Sequence, residues 1–152
     1  AYGGKAEIMN HLAPIGEVYQ AGTLSGNPLA VAAGRSMMRL IEDYNIYEKA
    51  ERQTQKLVQG FREAIQSVNA PIQVSAIGTM FTVFFSKAPI HNVADVNQCN
   101  MNDFKRYFHF MKDHQILIPP SQYEANFVSS EHDDAVIQKT VEVFTKFLRT
   151  IG

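Results

Sequence analysis

Cysteine is almost missing from this 152-residue chain: Cys99 stands alone, so an internal disulfide is impossible and chelation of a metal by a thiol cluster is excluded. A single thiol also fits a reducing, cytoplasmic compartment. No apolar run approaches the roughly 18 residues that a membrane-spanning helix needs. Neither sign of charge prevails. Fourteen Lys and Arg face fifteen Asp and Glu, the net charge is −1, and the basic residues are scattered, so no footprint for nucleic acid is present. The five histidines (His11, His91, His109, His114, His132) show no metal-ligand spacing, and no metal site is expected. Internal repeats and low-complexity tracts are lacking, and the opening residues Ala1 to Lys5 carry neither an initiator Met nor a signal-peptide pattern.

What is present is a composition 45% hydrophobic over about one domain's length, enough to bury a core. A short helix is expected from Glu7 to Leu12, stopped by Pro14 and Gly16, and a longer one from Pro28 to Tyr44. Asn45 and Glu48 read as a capping box for a third helix, whose stripe is Ile46, Ala50, Leu57, Phe61, Ile65 and Val68. Ile72–Ser75 and Met80–Phe85 read as strands around Gly78, the second apolar enough to be covered on both faces. Pro89 to Asn100 reads as loop, Met101 to His114 as helix with Phe104, Phe108 and Met111 inward, and Ile116–Ile118 with Phe127–Val128 as a strand pair. Ser130 and Asp133 suggest a capping box for a last helix striped by Ile137, Val141, Phe144, Leu148 and Ile151. This order predicts an α+β domain, an antiparallel sheet with helices on one face.

The run from Val18 to Ala30 is chemically the most pointed. Asn27 can cap the helix that Pro28 opens, and small residues with two hydroxyls, Thr23 and Ser25, stand in front of it. Such a helix mouth presents free amides and a positive dipole end, which suit phosphate. A well-capped helix after a surface turn is the plainer account of the same residues.

The wording of three blocks adds a resemblance. Tyr19-Gln20-Ala21-Gly22-Thr23-Leu24-Ser25-Gly26-Asn27-Pro28 resembles the segment after the catalytic lysine in class III pyridoxal-phosphate aminotransferases, in particular the glutamate-1-semialdehyde 2,1-aminomutase branch. Gly78-Thr79-Met80-Phe81 through His91-Asn92, and Ser121-Gln122-Tyr123-Glu124-Ala125 followed by Phe127 and His132, match the same branch in order and spacing. Thr79 replaces a common Ser, and Asn126 stands where Gly is frequent, a position Asn can fill in left-handed backbone.

The resemblance implies the carboxy-terminal third of a larger enzyme of fold type I: residues 1–44 the end of the large pyridoxal-phosphate-binding domain, and 45–152 the small α+β domain. Pyridoxal 5′-phosphate is the implied cofactor, a small molecule the substrate, and a homodimer the assembly. Gly22 and Thr23 would reach the cofactor phosphate of the other subunit. Tyr19, Ser121 and Glu124 would line the substrate pocket, although a Tyr in a capped loop, read alone, is more often a packed aromatic with a locally bonded hydroxyl, and with the resemblance the two readings of Tyr19 weigh equally. Glu124 could orient an amino group or repel a misplaced carboxylate. Lys5 is not assigned the cofactor-binding role, so no catalytic residue is expected within the chain, which alone should be inactive. The implied reaction moves an amino group between adjacent carbons of glutamate-1-semialdehyde. Rival readings are an ω-amino-acid aminotransferase, a non-catalytic α+β dimerisation domain, and a phosphate-binding module that uses only the Gly22–Thr23 loop.

Overall fold

Residues 2–151 are described in the computed structural model of the chain, and their contacts divide into two compact units, one ending at Leu40 and one beginning at Ile41. The first unit opens with α1 (Ala6–Met9), a single turn shorter than the sequence suggested. The chain is drawn back instead: Ala13 N–H donates to Val18 O (2.9 Å) and Val18 N–H to His11 O (2.8 Å). Gly16 fits inside this fold because a Cβ there would stand 2.3 Å from His11 O, a distance no real side chain tolerates. Helix α2 (Pro28–Asp43) follows, built largely from the strong helix formers Ala, Leu, Met and Arg. No residue from 2 to 40 is buried, and Leu29, Val31, Met37 and Met38 lie open.

The second unit is a small α+β body. Helix α3 (Ile46–Val68) leads to strands β1 (Gln73–Ile77) and β2 (Met80–Phe84); α4 (Val93–Val96), α5 (Met101–Asp113), β3 (Asn126–Phe127) and α6 (Asp134–Leu148) follow. The described strands form one antiparallel sheet of order β1-β2-β3, with Ile77 opposite Met80 and Phe81 opposite Asn126. Gly78 makes the β1–β2 turn at φ +56°, backbone that Gly adopts without strain. Helix α3 covers the sheet and packs along α6, which in turn touches α5. Between them Phe61 stacks on Phe144 (centroids 4.0 Å apart, planes 20°) and meets Phe81 edge-on at 5.9 Å. Tyr107, Met111, Phe147 and Leu148 fill the rest of that core. No helix among the described residues is long and apolar enough to cross a membrane.

Several local expectations are corrected. Asn45 makes no side-chain cap; it sits in left-handed backbone at φ 49°, because the tight α2–α3 turn needs that conformation more than the cap. Strand β2 is buried on one face only: Phe81 and Val83 are covered, while Thr82 and Phe84 are half-buried. The segment expected to be loop throughout holds α4, capped by Asn92, whose Oδ1 accepts from Ala94 N–H (2.8 Å) while Asp95 Oδ2 accepts from Asn92 N–H (3.2 Å). Ile116–Ile118 is no strand: Ile118 is buried, yet β3 pairs with β2 instead. The last helix is capped by Asp133 rather than Ser130, through Val136 N–H to Asp133 Oδ1 (2.9 Å). Asn126 lies in β3 and needs no left-handed backbone.

Candidate functional site

In the first unit the loop ahead of α2 is shaped by its own backbone. Ser25 N–H donates to Gly22 O (3.0 Å), Asn27 N–H to Leu24 O (3.1 Å), and Gly26 turns at φ +73°. Asn27 caps α2 as the sequence suggested, Oδ1 accepting from Leu29 N–H (3.0 Å) and Ala30 N–H (3.1 Å). A Cβ on Gly22 would fall 2.7 Å from Ser25 Oγ, a contact that rotation of the Ser25 hydroxyl relieves. Among the described residues the amides of Gly22 and Thr23 and the Thr23 hydroxyl have no partner, and all three are exposed. Free donors in front of a capped 16-residue helix suit a phosphate dianion. Tyr19 is 84% exposed and its hydroxyl bonds to no described residue; Tyr2 is the tyrosine that holds Gln20, at 3.1 Å.

The second unit holds Ser121 and Glu124 in one turn. Ser121 O accepts from Glu124 N–H and Ser121 Oγ from Tyr123 N–H, both at 3.2 Å. Glu124 is exposed, and its carboxylate pairs with no described residue. The turn is sewn to β2 by side-chain amides. Asn126 Nδ2 donates to Phe81 O (3.3 Å) and Gln122 Nε2 to Val83 O (3.4 Å). Carbonyls two residues apart share one edge of a strand, so these carboxamides prolong the pairing that the two-residue β3 begins. On the other side Tyr123 OH donates to Asn97 Oδ1 (2.5 Å), the residue that ends α4. Gln122 and Tyr123 stand in the matched block with no role read for them, and Asn97 was not singled out, because polar loop residues give no periodic signal.

His132 accepts Ser129 N–H at Nδ1 (3.0 Å), which orders the turn before α6. Cys99 is buried, and burial first, then the Asp95 charge, pushes its thiol pKa up. An apolar cavity of about 180 Å³ opens between Leu57, Phe81, Ile118, Phe127, His132 and Ile137, but neither Ser121 nor Glu124 lines it. No cluster of three or more His, Cys, Asp or Glu that could hold a metal occurs among the described residues. Tyr19, Gly22 and Thr23 belong to one unit, Ser121 and Glu124 to the other.

A three-stranded antiparallel sheet covered by long helices makes the second unit an α+β fold. The family described as aminotransferase class-III matches residues 1–144, and the chain belongs to that family. Class-III aminotransferases use pyridoxal 5′-phosphate. Among solved structures the chain is similar to an omega-transaminase from Sphaerobacter thermophilus (22% identity, TM-score 0.80). It is also similar to a β-phenylalanine aminotransferase from Variovorax paradoxus (20%, 0.73) and to a transaminase with PLP bound (17%, 0.74). Each likeness covers 97% of this chain and 34% of the other, so the chain spans about a third of their length.

Proposed function

We propose that this chain forms the carboxy-terminal part of a pyridoxal-phosphate enzyme that moves amino groups, with residues 1–44 closing the large domain and 45–152 forming the small one. The observation that carries this reading is the pair of unpartnered amides at Gly22 and Thr23, beside the Thr23 hydroxyl, in front of α2. When bound, the cofactor supplies an electron sink for the carbon that bears nitrogen. The residues of this chain bind and orient. Gly22 and Thr23 hold the cofactor phosphate of the second subunit of a homodimer, and the lysine that carries the cofactor lies outside residues 1–152. Tyr19, Ser121 and Glu124 line the pocket of a small-molecule substrate. An exposed, unpaired carboxylate at Glu124 attracts an amino group and repels a carboxylate, which selects one orientation of an amino acid. A single cysteine, Cys99, suits a reducing cytoplasm.

The Ser121-Gln122-Tyr123-Glu124-Ala125 block supports a finer reading: conversion of glutamate-1-semialdehyde to 5-aminolevulinate for tetrapyrrole synthesis. A second reading, an ω-amino-acid aminotransferase, draws support from the fold shared with an omega-transaminase and a β-phenylalanine aminotransferase. The two part on stoichiometry. Full-length holoenzyme given glutamate-1-semialdehyde alone should yield 5-aminolevulinate without any keto acid. Turnover only when an amine and a keto acid are both supplied would replace the first reading with the second, and an absence of both activities would overturn the proposal.

A further inference from the structure

Gln122 is the one residue of the Ser121–Glu124 turn that is fully enclosed, 2% exposed at a position where loop residues ordinarily face water. Its Nε2 reaches Val83 O at 3.4 Å, the long limit of a hydrogen bond, while its Oε1 is buried with no partner among the described residues. Burying a carboxamide with one end unsatisfied costs desolvation that an apolar side chain of the same length would avoid. Core stability therefore gives no reason for Gln at this position. Its amide does something an apolar residue cannot: it fixes the turn against β2 beyond the point where β3 stops pairing. Ser121 and Glu124, on either side of it, share the backbone hydrogen bond that closes the turn. Tyr123, between Gln122 and Glu124, is tied to Asn97 on the other flank, so the turn is held from two directions.

We infer that Gln122 is a positioning residue, which sets the place of the Ser121 hydroxyl and the Glu124 carboxylate toward substrate by anchoring their turn to Val83. This rests on the reading of Ser121 and Glu124 as substrate-pocket residues. Displacing a recognition group by an ångström or less weakens productive binding strongly, whereas chemistry carried by groups outside the turn is left in place.

The test uses full-length holoenzyme carrying Gln122→Met, which keeps the length and removes the amide. The Michaelis constant for the amino substrate should rise about tenfold with kcat within about twofold. The melting temperature should change little, because loss of the orphan Oε1 is set against a Val83 O left without its donor. Hydrogen exchange at the Glu124 amide, which closes the turn on Ser121 O, should accelerate about tenfold. Glu124→Gln and Ser121→Ala are run beside it. If either shifts the Michaelis constant while Gln122→Met leaves both it and the Glu124 exchange rate unchanged, the anchoring role is overturned. If neither shifts it but exchange still accelerates in Gln122→Met, the anchor stands and the substrate-pocket reading fails. A Gln122→Met protein that does not fold assigns Gln122 to the core and also overturns the proposal.

Discussion

Gly60 of α3 passes so close to Val141 of α6 that a methyl group on it would come within 2.7 Å of Val141 Cγ2 and 2.9 Å of Cγ1. A glycine in mid-helix ordinarily costs about 1 kcal/mol against alanine. Here that cost is offset by the contact of the two longest helices of the second unit, on which the Phe61–Phe144 stack one residue further depends. Val141 is β-branched and stiff at χ1, so it cannot swing aside. Gly60→Ala should therefore destabilise the fold by about 1–3 kcal/mol despite its better helix propensity. Val141→Ala in the same chain should recover most of that loss in a double-mutant cycle followed by urea unfolding.

Tyr107 is the opposite case, a side chain with one group too many. Its ring touches Phe85, Phe104, Phe144 and Phe147, but its hydroxyl is buried without a partner among the described residues. Burial alone pushes its pKa well above the usual tyrosine range. Above a pH of about 10 the unfolded chain gives up this proton and the folded chain keeps it, so folding stability falls as pH rises through that range. Tyr107→Phe keeps the ring contacts. It should leave stability at neutral pH unchanged or raise it by up to about 1 kcal/mol, and should flatten the alkaline loss seen in denaturant titrations.

Such features show what the sequence could and could not convey. The stripe Ile137, Phe144, Leu148 was legible because helical spacing maps directly onto one buried face. Val143 and Phe147 escaped because α6 is covered by both α3 and α5, which widens its buried face beyond one stripe. Asn27 could be read as a cap because capping is settled within three residues, whereas Asn45 could not, since a turn between two helices decided its backbone. The apolar run Ile116–Ile118 signalled burial truthfully, but hydrogen bonding to a sheet is a separate condition that hydrophobicity does not report. Of the candidate site, Gly22, Thr23, Ser121 and Glu124 were named from motif wording, while Gln122 and Asn97 depend on pairing across 39 and 26 residues.

Asp134, at the start of α6, is held by Lys56 and Gln53 of α3. The hydrogen bond from Lys56 first, then that from Gln53, lowers its pKa below the usual carboxylate range. A depressed acid adds stability above its unfolded value, and that part is lost as pH falls through the folded value. The pair is exposed, so the effect is small and screened by salt. Lys56→Met should reduce the acid-side slope of stability at low ionic strength and leave stability near neutrality almost unchanged. A slope unchanged from the parent protein would mean that other carboxylates set it.

Thr23 and Asn27 separate binding from folding at the mouth of α2. Asn27 Oδ1 engages two amides of the first helical turn, so Asn27→Ala should cost about 1 kcal/mol and fray α2, visible as lost helicity and faster amide exchange at Leu29 and Ala30. The Thr23 hydroxyl bonds to no described residue, so Thr23→Ala should leave helicity and melting temperature as they are. If Thr23 donates to the cofactor phosphate, as proposed, full-length enzyme carrying Thr23→Ala loses a charge-assisted hydrogen bond of about 1.5–3 kcal/mol. Pyridoxal phosphate should then dissociate about ten- to a hundredfold more readily on dialysis, followed by its absorbance. Thr23→Ser, which keeps the hydroxyl, should restore retention; a Thr23→Ala enzyme that holds its cofactor like the parent would remove this hydroxyl from the site.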